Sequence, residues 1–266
     1  MHNFYGPLSD VFSADPHPDR FQSTNGRLLL HRTAVIDTGD RLELADAPLH
    51  EVAVAVNLGQ GKEAGAKGSK LVAAVAARRA DAVALATRGE FTAIELSVPG
   101  AVVTGTGAGG IRDVGIELDG TYGWPILPGS SLKGVTREYA RRRGEPMTKI
   151  FGSEPESDEV VPGQVTFFDA LPGPAGVEVV AHVLTPHTQG YRSNTPENGP
   201  AVAPGEHINP IPIPFLAVER GSFIAYLAGP EPHLSEAAAL LKGAVGDLGV
   251  GAKTASGYGY LKAATP

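Results

Sequence analysis

The sequence predicts an α+β fold: a ferredoxin-like βαββαβ core carrying a Gly-rich loop, a Pro-rich insertion and an N-terminal extension. Three observations predict it. Phe91 to Val98 (FTAIELSV) alternates with the two-residue period of a half-buried strand, and Pro99-Gly100 ends it. Gly123 to Arg143 (GWPILPGSSLKGVTREYARRR) follows with a turn that opens onto a helical pattern. Beyond it the order is two strand-like runs, a Pro-rich segment, a strand, an apolar helix and a closing strand, so one strand is an embellishment of the βαββαβ unit.

Taken in chain order, residues 1–26 are rich in Pro, Asp, Ser and His with little periodicity, which predicts a tail or an arm that orders on a partner. Arg27 to Ile36 and Glu51 to Val56 are apolar runs with β-branched content. A small-residue linker, Gly59 to Gly68, leads into a helical stretch from Ser69 to about Arg88. The first 89 residues thus read as an N-terminal extension, a docking region, and 90–266 as the main domain. Five glycines between Gly100 and Gly110 make a loop able to approach a ligand closely, and Ile111 to Leu118 reads as a short strand. Gln164 to Pro172 and Gly176 to Pro186 read as strands of a hairpin around a Pro-Gly-Pro-x-Gly connection. From His187 to Pro214 prolines fall at 196, 200, 204, 210, 212 and 214, and since proline has no ladder donor this segment projects as an insertion, 187–214. Strand character returns over Pro214 to Leu227, a helix over Leu234 to Val245, and a last strand over Gly257 to Leu261.

Composition narrows the function. With 22 basic and 29 acidic residues the net charge is −7, which argues against nonspecific coating of a duplex, and any nucleic-acid binding needs a local basic groove. The absence of cysteine removes disulfides, thiolate metal sites and cysteine nucleophiles. The start carries neither a basic leader nor an apolar signal core, and no run of eighteen apolar residues occurs, which predicts a soluble, cytoplasmic protein.

The helix after Pro128 carries the first candidate site. Lys133, Arg137 and Arg141 recur at four-residue steps along one face, with Leu132, Val135 and Tyr139 roughly opposite. Gly129, Ser130 and Ser131 lie at its start, where Ser130 or Ser131 can cap it and no Glu or Gln three residues on folds back over the free N–H groups. That geometry suits an anion, phosphate foremost; a surface helix with solvated charges is the alternative. The second candidate is Gly246 to Tyr260 (GDLGVGAKTASGYGY), where Lys253 and Thr254 follow Ala252 rather than glycine, so the segment fails as a phosphate-binding P-loop. Tyr258 and Tyr260 alternate with glycines, and SGYGYL approximates the signature of RNA-recognition sheets, with Ser256 in the basic position. Two tyrosines packed beneath a helix is the competing reading.

Histidine and carboxylate chemistry is thinner. His182 and His187 flank a strand end, and His187 serves either as a general base in RNA cleavage or as an RNA contact. No HExxH pair or acidic ligand repeat accompanies it, so neither a metal nor another cofactor is expected. Asp113 lies before the basic helix, where it either reaches a bound phosphodiester or is only solvated.

Four segments in order resemble the RAMP superfamily of CRISPR-associated RNA-binding proteins, and within it the sixth-subunit family of type III-B Cmr effector complexes. They are GIELD (Gly115 to Asp119), PILPGSSLKGVTREYA (Pro125 to Ala140), VLTPHTQGY with the later NPIPIPFLAVERGSFIAYLAG (Asn209 to Gly229), and GVGAKTASGYGYL near the C-terminus. The resemblance covers roughly Phe91 to Leu261. It implies a noncatalytic subunit that binds guide RNA near its 3′ end in an antiviral RNA-targeting complex, paired with target RNA and flanked by other RAMP and small helical subunits. On matching motifs it assigns Ser130, Ser131, Lys133 and Arg137 to guide phosphates, with Gly129 and Arg141 in the same element. It places Lys253, Thr254, Ser256 and Tyr258 against RNA, and makes the insertion beginning at His187 a thumb or neighbour contact. The alternatives are a RAMP-type endoribonuclease, using Asp113 in target cleavage or His187 in guide processing, and a filament cap that touches protein only.

Overall fold

The computed structural model describes residues 69–106, 116–145, 147–153, 160–187, 210 and 212–265, the backbone of 2–5, 34–37 and 43–44, and the isolated positions 25, 27, 30, 53, 56 and 57. Asp113, residues 107–110 of the Gly-rich loop and nearly all of the Pro-rich insertion after His187 lie outside this set.

Near the N-terminus, β1 (His2–Tyr5), β2 (Ala34–Asp37) and β3 (Glu43–Leu44) form a three-stranded antiparallel sheet, with His2 opposite Asp37 and Ile36 opposite Leu44. The expectation of an unstructured arm over 1–26 is therefore corrected at His2–Tyr5, whose four residues find their partner some thirty positions along the chain, beyond the reach of local periodicity. Arg27, Leu30, Ala53 and Val56 are helical, not the strands their β-branched surroundings suggest. Leu30, Ala53 and Val56 are buried, so tertiary packing overrides β-propensity there.

Ser69 sets the start of α1 (Lys70–Ala86): its Oγ accepts the Val72 N–H at 3.1 Å, an N-cap in extended conformation. Thr87 closes the helix, donating from Oγ1 to the Val83 carbonyl at 2.7 Å. Val72 and Val75 enter the same apolar core as Ile94 and Leu96 of the main sheet, and α1 packs along its edge strand β6.

That sheet is antiparallel throughout. β4 (Phe91–Ser97) pairs with β7 (Ile213–Ala228) from Phe91 opposite Ala228 to Ser97 opposite Ser222, and with β8 (Lys262–Ala264) on its other side. β5 (Thr166–Phe167) and β6 (Leu171–Leu184) both pair with the far edge of β7, giving the spatial order β8-β4-β7-β6. Between the strands run α2 (Gly129–Arg142), the short α3 (Thr148–Phe151) and α4 (His233–Asp247). α2 packs on α4, and α4 on β4, β7 and β8. Leu132 of α2, Leu241 and Val245 of α4, Leu96, Phe223 and Leu227 of the sheet and the buried Trp124 share one core. Each such side chain contributes about 1.5–3 kcal/mol through its burial.

Two further expectations are corrected. Residues 164–186 do not form a hairpin: β6 runs through the Pro-Gly-Pro-x-Gly segment, and β5 and β6 each take β7 as partner. A register shift between Pro172 and Val177 absorbs the turn-like residues as an irregularity, which an edge strand tolerates. The last strand is Lys262–Ala264 rather than Gly257 to Leu261. Residues 254–256 form a single 3₁₀ turn, and Gly257 and Gly259 take φ of +88° and +85°, so the alternation read from GYGY is not extended backbone. Of the expected strand over 111–118, residues 111–115 lie outside the described set and Leu118 makes one isolated bridge, to Pro125.

Candidate functional site

The start of α2 differs from its sequence reading. The helix begins at Gly129 with Pro128 as N-cap, and neither Ser130 nor Ser131 caps it through its side chain. Instead the Gly129 N–H donates to Asp169 Oδ1 at 2.7 Å, and the Ser131 N–H to the Pro128 carbonyl at 2.9 Å. The expected free anion site is thus partly filled by the protein's own carboxylate, which complements the helix dipole as an external phosphate would. Reciprocal Leu127–Ala170 backbone bonds of 3.0 and 2.8 Å hold Asp169 there. A Cβ at Gly129 would run into the Phe167 carbonyl, so glycine permits this close approach.

The glycine loop is fixed in the same way. The Ala252 N–H donates to the Val103 carbonyl at 2.7 Å and the Gly259 N–H to the Ala101 carbonyl at 2.7 Å, stapling both ends of the loop to Ala101–Val103. Gly251 has φ of +89° and lies against the Val103 carbonyl, where a side chain has no room. Between the staples Lys253 adopts a left-handed conformation, φ +60°, uncommon for a residue with a side chain, and Thr254–Ser256 turns outward.

These two elements face each other across a cleft of about 710 Å³. Its lining includes Ser131, Glu138 and Arg142 of α2, Thr104 and Gly105, and Gly249 to Ala252, Thr254 and Tyr260 of the loop. Of the predicted contacts, Ser131 and Thr254 line this cleft. Ser130 is exposed on the first turn, and Lys133 is partly buried farther along α2. Arg137 donates through Nη2 to the carbonyls of Phe151, Gly152 and Ser153 at 3.0 to 3.2 Å, closing the end of α3. Arg141 and Arg142 both bind Glu138, with their Nε atoms at 2.7 Å. These bonds hold the Glu138 carboxyl well below its ordinary value, at about 2. The expected Lys133-Arg137-Arg141 stripe is therefore divided between the end of α3 and a carboxylate.

The two tyrosines separate. Tyr260 lines the cleft, whereas Tyr258 packs with His182 and Phe215 on the other side of the loop, its hydroxyl 3.0 Å from His182 Nδ1. The Lys253 ammonium lies 4.9 Å from the Phe215 ring centroid, within cation–π reach. Ser256 and Tyr258 line a second cavity of about 460 Å³ with His182 and Arg220. His187 sits at the bend after β6, partly buried. Among the described residues no group of three or more metal-ligating side chains occurs.

Comparison with known proteins bears on this arrangement. The family model of the RAMP superfamily matches residues 95–262, from β4 into β8 and including α2, the cleft and the glycine loop. The chain belongs to the RAMP superfamily. Within it, the CRISPR system Cmr subunit Cmr6 of Pyrococcus furiosus is 31% identical over a 220-residue alignment, covering 60% of this chain and 64% of that protein. This chain thus spans somewhat under two thirds of the curated relative it matches. A chain of the cryo-EM structure of the type III-B Cmr-beta complex bound to cognate target RNA shares the fold, with a TM-score of 0.57 at 20% identity over 73% of this chain and 66% of that one.

The RAMP match ends short of α1, and α1 supplies residues that the sequence reading passed over. Arg79 donates to the Asp169 carbonyl and stacks with its guanidinium 5.7 Å from the Tyr226 ring centroid. Burial pulls the Arg79 guanidinium below its ordinary value, opposed by Tyr226, Asp169 and Asp119. The same burial pushes the Tyr226 phenol up, opposed by Arg79. Asp169 had no signal in sequence, because a carboxylate forty residues beyond the helix it caps carries no local pattern.

Proposed function

We propose that this RAMP protein is a noncatalytic guide-RNA-binding subunit of a type III CRISPR effector complex, placed near the guide 3′ end and acting in antiviral defence in the cytoplasm. The core is read as ferredoxin-like, since its strand-helix-strand-strand-helix-strand order and β8-β4-β7-β6 arrangement suit that class. The observation that carries the functional reading is the cleft, where the start of α2 and the stapled glycine loop face each other within the segment matched by the family model. The 31% identity to Cmr6 supports membership of a Cmr-type complex, with other RAMP subunits, small helical subunits and guide-paired target RNA as partners. No helix among the described residues is long and apolar enough to cross a membrane.

The cleft holds both signs of charge. Ser131, Thr254 and the backbone of Gly249 to Ala252 offer hydrogen bonds, Tyr260 offers a ring, and Arg142 is tethered by Glu138. Guide phosphates are assigned to Ser130, Ser131, Lys133 and the loop around Lys253 and Thr254. Gly129, Arg137 and Arg141 support that wall through their contacts within the protein. On the opposite side of the loop, Ser256 and Tyr258 with His187 beyond them continue the RNA-facing surface. The first 89 residues are read as an extension that docks neighbouring subunits and is anchored through α1 to the core of the main domain, 90–266.

The test is a Lys133→Glu, Lys253→Glu variant in complex assembly and RNA binding. Normal folding with lost guide binding, and a steep fall of wild-type affinity with salt, is the expected result. Unchanged affinity and assembly would sink the reading. Labelled RNA incubated with the assembled complex, with and without Mg²⁺, checks for cleavage that Asp113→Ala or His187→Ala abolishes; such loss would favour the nuclease. A photoreactive guide that yields no adduct with this subunit would favour a protein-only cap.

A further inference from the structure

A third cavity, of about 530 Å³, lies between α1 and the two segments 119–122 and 168–171. It adjoins the α2 start on the side away from the main cleft, because Asp169 lines it while binding the Gly129 N–H, and Ser131, two residues on and so on the opposite side of the helix, lines the main cleft. Both of its cations, Arg78 and Arg79, come from α1, outside the residues matched by the family model.

The lining has a defined chemistry. Tyr122 lies flat against the buried Trp124, centroids 4.5 Å apart and planes at 17°, so a rigid aromatic platform forms one wall. Arg78 and Arg79 each commit only Nη2 to a protein acceptor among the described residues, the Tyr122 hydroxyl at 3.3 Å and the Asp169 carbonyl respectively. Asp119 uses Oδ1 for the Thr121 and Tyr122 N–H groups at 2.9 and 2.8 Å, and Asp169 uses Oδ1 for Gly129. Among the described residues neither Oδ2 receives a hydrogen bond. Among the described residues the cavity thus presents donors on two guanidinium groups, acceptors on two carboxylates and a stacking surface, with these charges in balance.

A phosphate or an acidic peptide would meet two carboxylates here and gains no advantage. A nucleobase carrying both donors and acceptors is complementary, and guanine most so: its O6 and N7 accept from arginine, its N1–H and N2–H₂ donate to a carboxylate, and its face stacks on tyrosine. We propose that this cavity holds a splayed-out guanine of single-stranded RNA as the strand leaves the main cleft around the start of α2. The proposal rests on the RNA-binding reading above, and it makes the α1 arginines a base-selective extension of that groove.

The test uses fluorescein-labelled oligouridylate of about 16 nucleotides, and the same strand with a single central guanosine, in anisotropy titrations with the full chain. Wild type is expected to bind the guanosine strand about tenfold more tightly. Arg78→Ala should remove that preference and leave oligouridylate affinity unchanged; Arg78 is exposed and makes one side-chain bond, so the variant folds. Binding of oligouridylate without guanosine preference, or a preference that survives Arg78→Ala, overturns the proposal alone. Failure of wild type to bind either strand overturns the RNA-binding reading and the proposal with it. Photocrosslinking with 6-thioguanosine at the central position supports the proposal if the adduct maps to 119–124, and counts against it if adducts fall only in 249–260.

Discussion

The two walls of the main cleft are built on different principles. The α2 wall is a regular helix whose polar groups are satisfied through side chains: the Asp169 carboxylate takes its first N–H, Glu138 binds Arg141 and Arg142, and the Arg137 guanidinium donates to backbone carbonyls at the end of α3. The glycine-loop wall has little regular structure and is fixed by backbone, through the Ala252–Val103 and Gly259–Ala101 hydrogen bonds and close contacts that exclude side chains. The difference teaches that a glycine run facing a cleft need not donate its flexibility to a ligand. Here it lets the main chain pack against itself, leaving Lys253 and Thr254 on a turn between two cavities.

The comparison is broken most severely from the loop side. Gly251→Val would force a β-branched residue into φ of +89° against the Val103 carbonyl, with no rotamer that relieves the clash. We expect a loss of about 2–4 kcal/mol in urea denaturation, with lowered RNA affinity because the wall itself moves. Gly257→Ala is the control. It shares the left-handed φ but has open space around its Cβ, so about 1 kcal/mol is expected.

On the helix wall, Arg137→Ala strands the carbonyls of Phe151, Gly152 and Ser153 and removes a guanidinium 6.0 Å from the Phe151 centroid. A destabilisation of about 1–3 kcal/mol should follow. If Arg137 acts mainly through α3, RNA affinity measured under conditions where the variant remains folded should change little. A large affinity loss without a stability loss would return it to the phosphate contacts. Asp169→Ala should cost about 1 kcal/mol, the usual worth of a helix cap, and hydrogen exchange at Gly129 should accelerate.

How much of this was legible depends on how local the cause is. The helix expected from Ser69 and the alternation of Phe91 to Val98 are decided within a few residues, and the structure has both, as Lys70–Ala86 behind the Ser69 cap and as Phe91–Ser97. The start of α2 was displaced by one residue because its capping group, Asp169, lies across the fold. The hairpin expected over 164–186 failed because β7, at 16 residues, is long enough to pair with β5 and with both parts of β6. Tyr258 and Tyr260 were placed on one face by a period that holds only for extended backbone, and Gly259 breaks it. The segments that carry the family resemblance, PGSSLKG and GAKTASGYG, do meet at one cleft. Their side-chain roles depended on partners such as Glu138 and Phe151 that composition does not rank.

The smallest effect tests the charge compensation of the helix wall directly. Glu138 titrates at about 2 in the folded protein against an ordinary 4.5, so the unfolded chain binds its proton first as pH falls. Its contribution to stability is complete above pH 4.5 and is lost as pH drops toward 2. Glu138→Gln should flatten that part of the stability–pH curve and lower the neutral Tm by the matching amount, both effects being small since the pair is exposed to solvent and surface ion pairs are weak. The same substitution removes the Glu138 contacts of Arg141 and Arg142 and a negative charge from the cleft lining. RNA affinity should rise by a few-fold, and log Kd should depend more steeply on log salt by about one to two counterions. An unchanged salt slope would mean that neither arginine gains a contact to RNA phosphate, and would leave the loop wall as the side of the cleft that holds it.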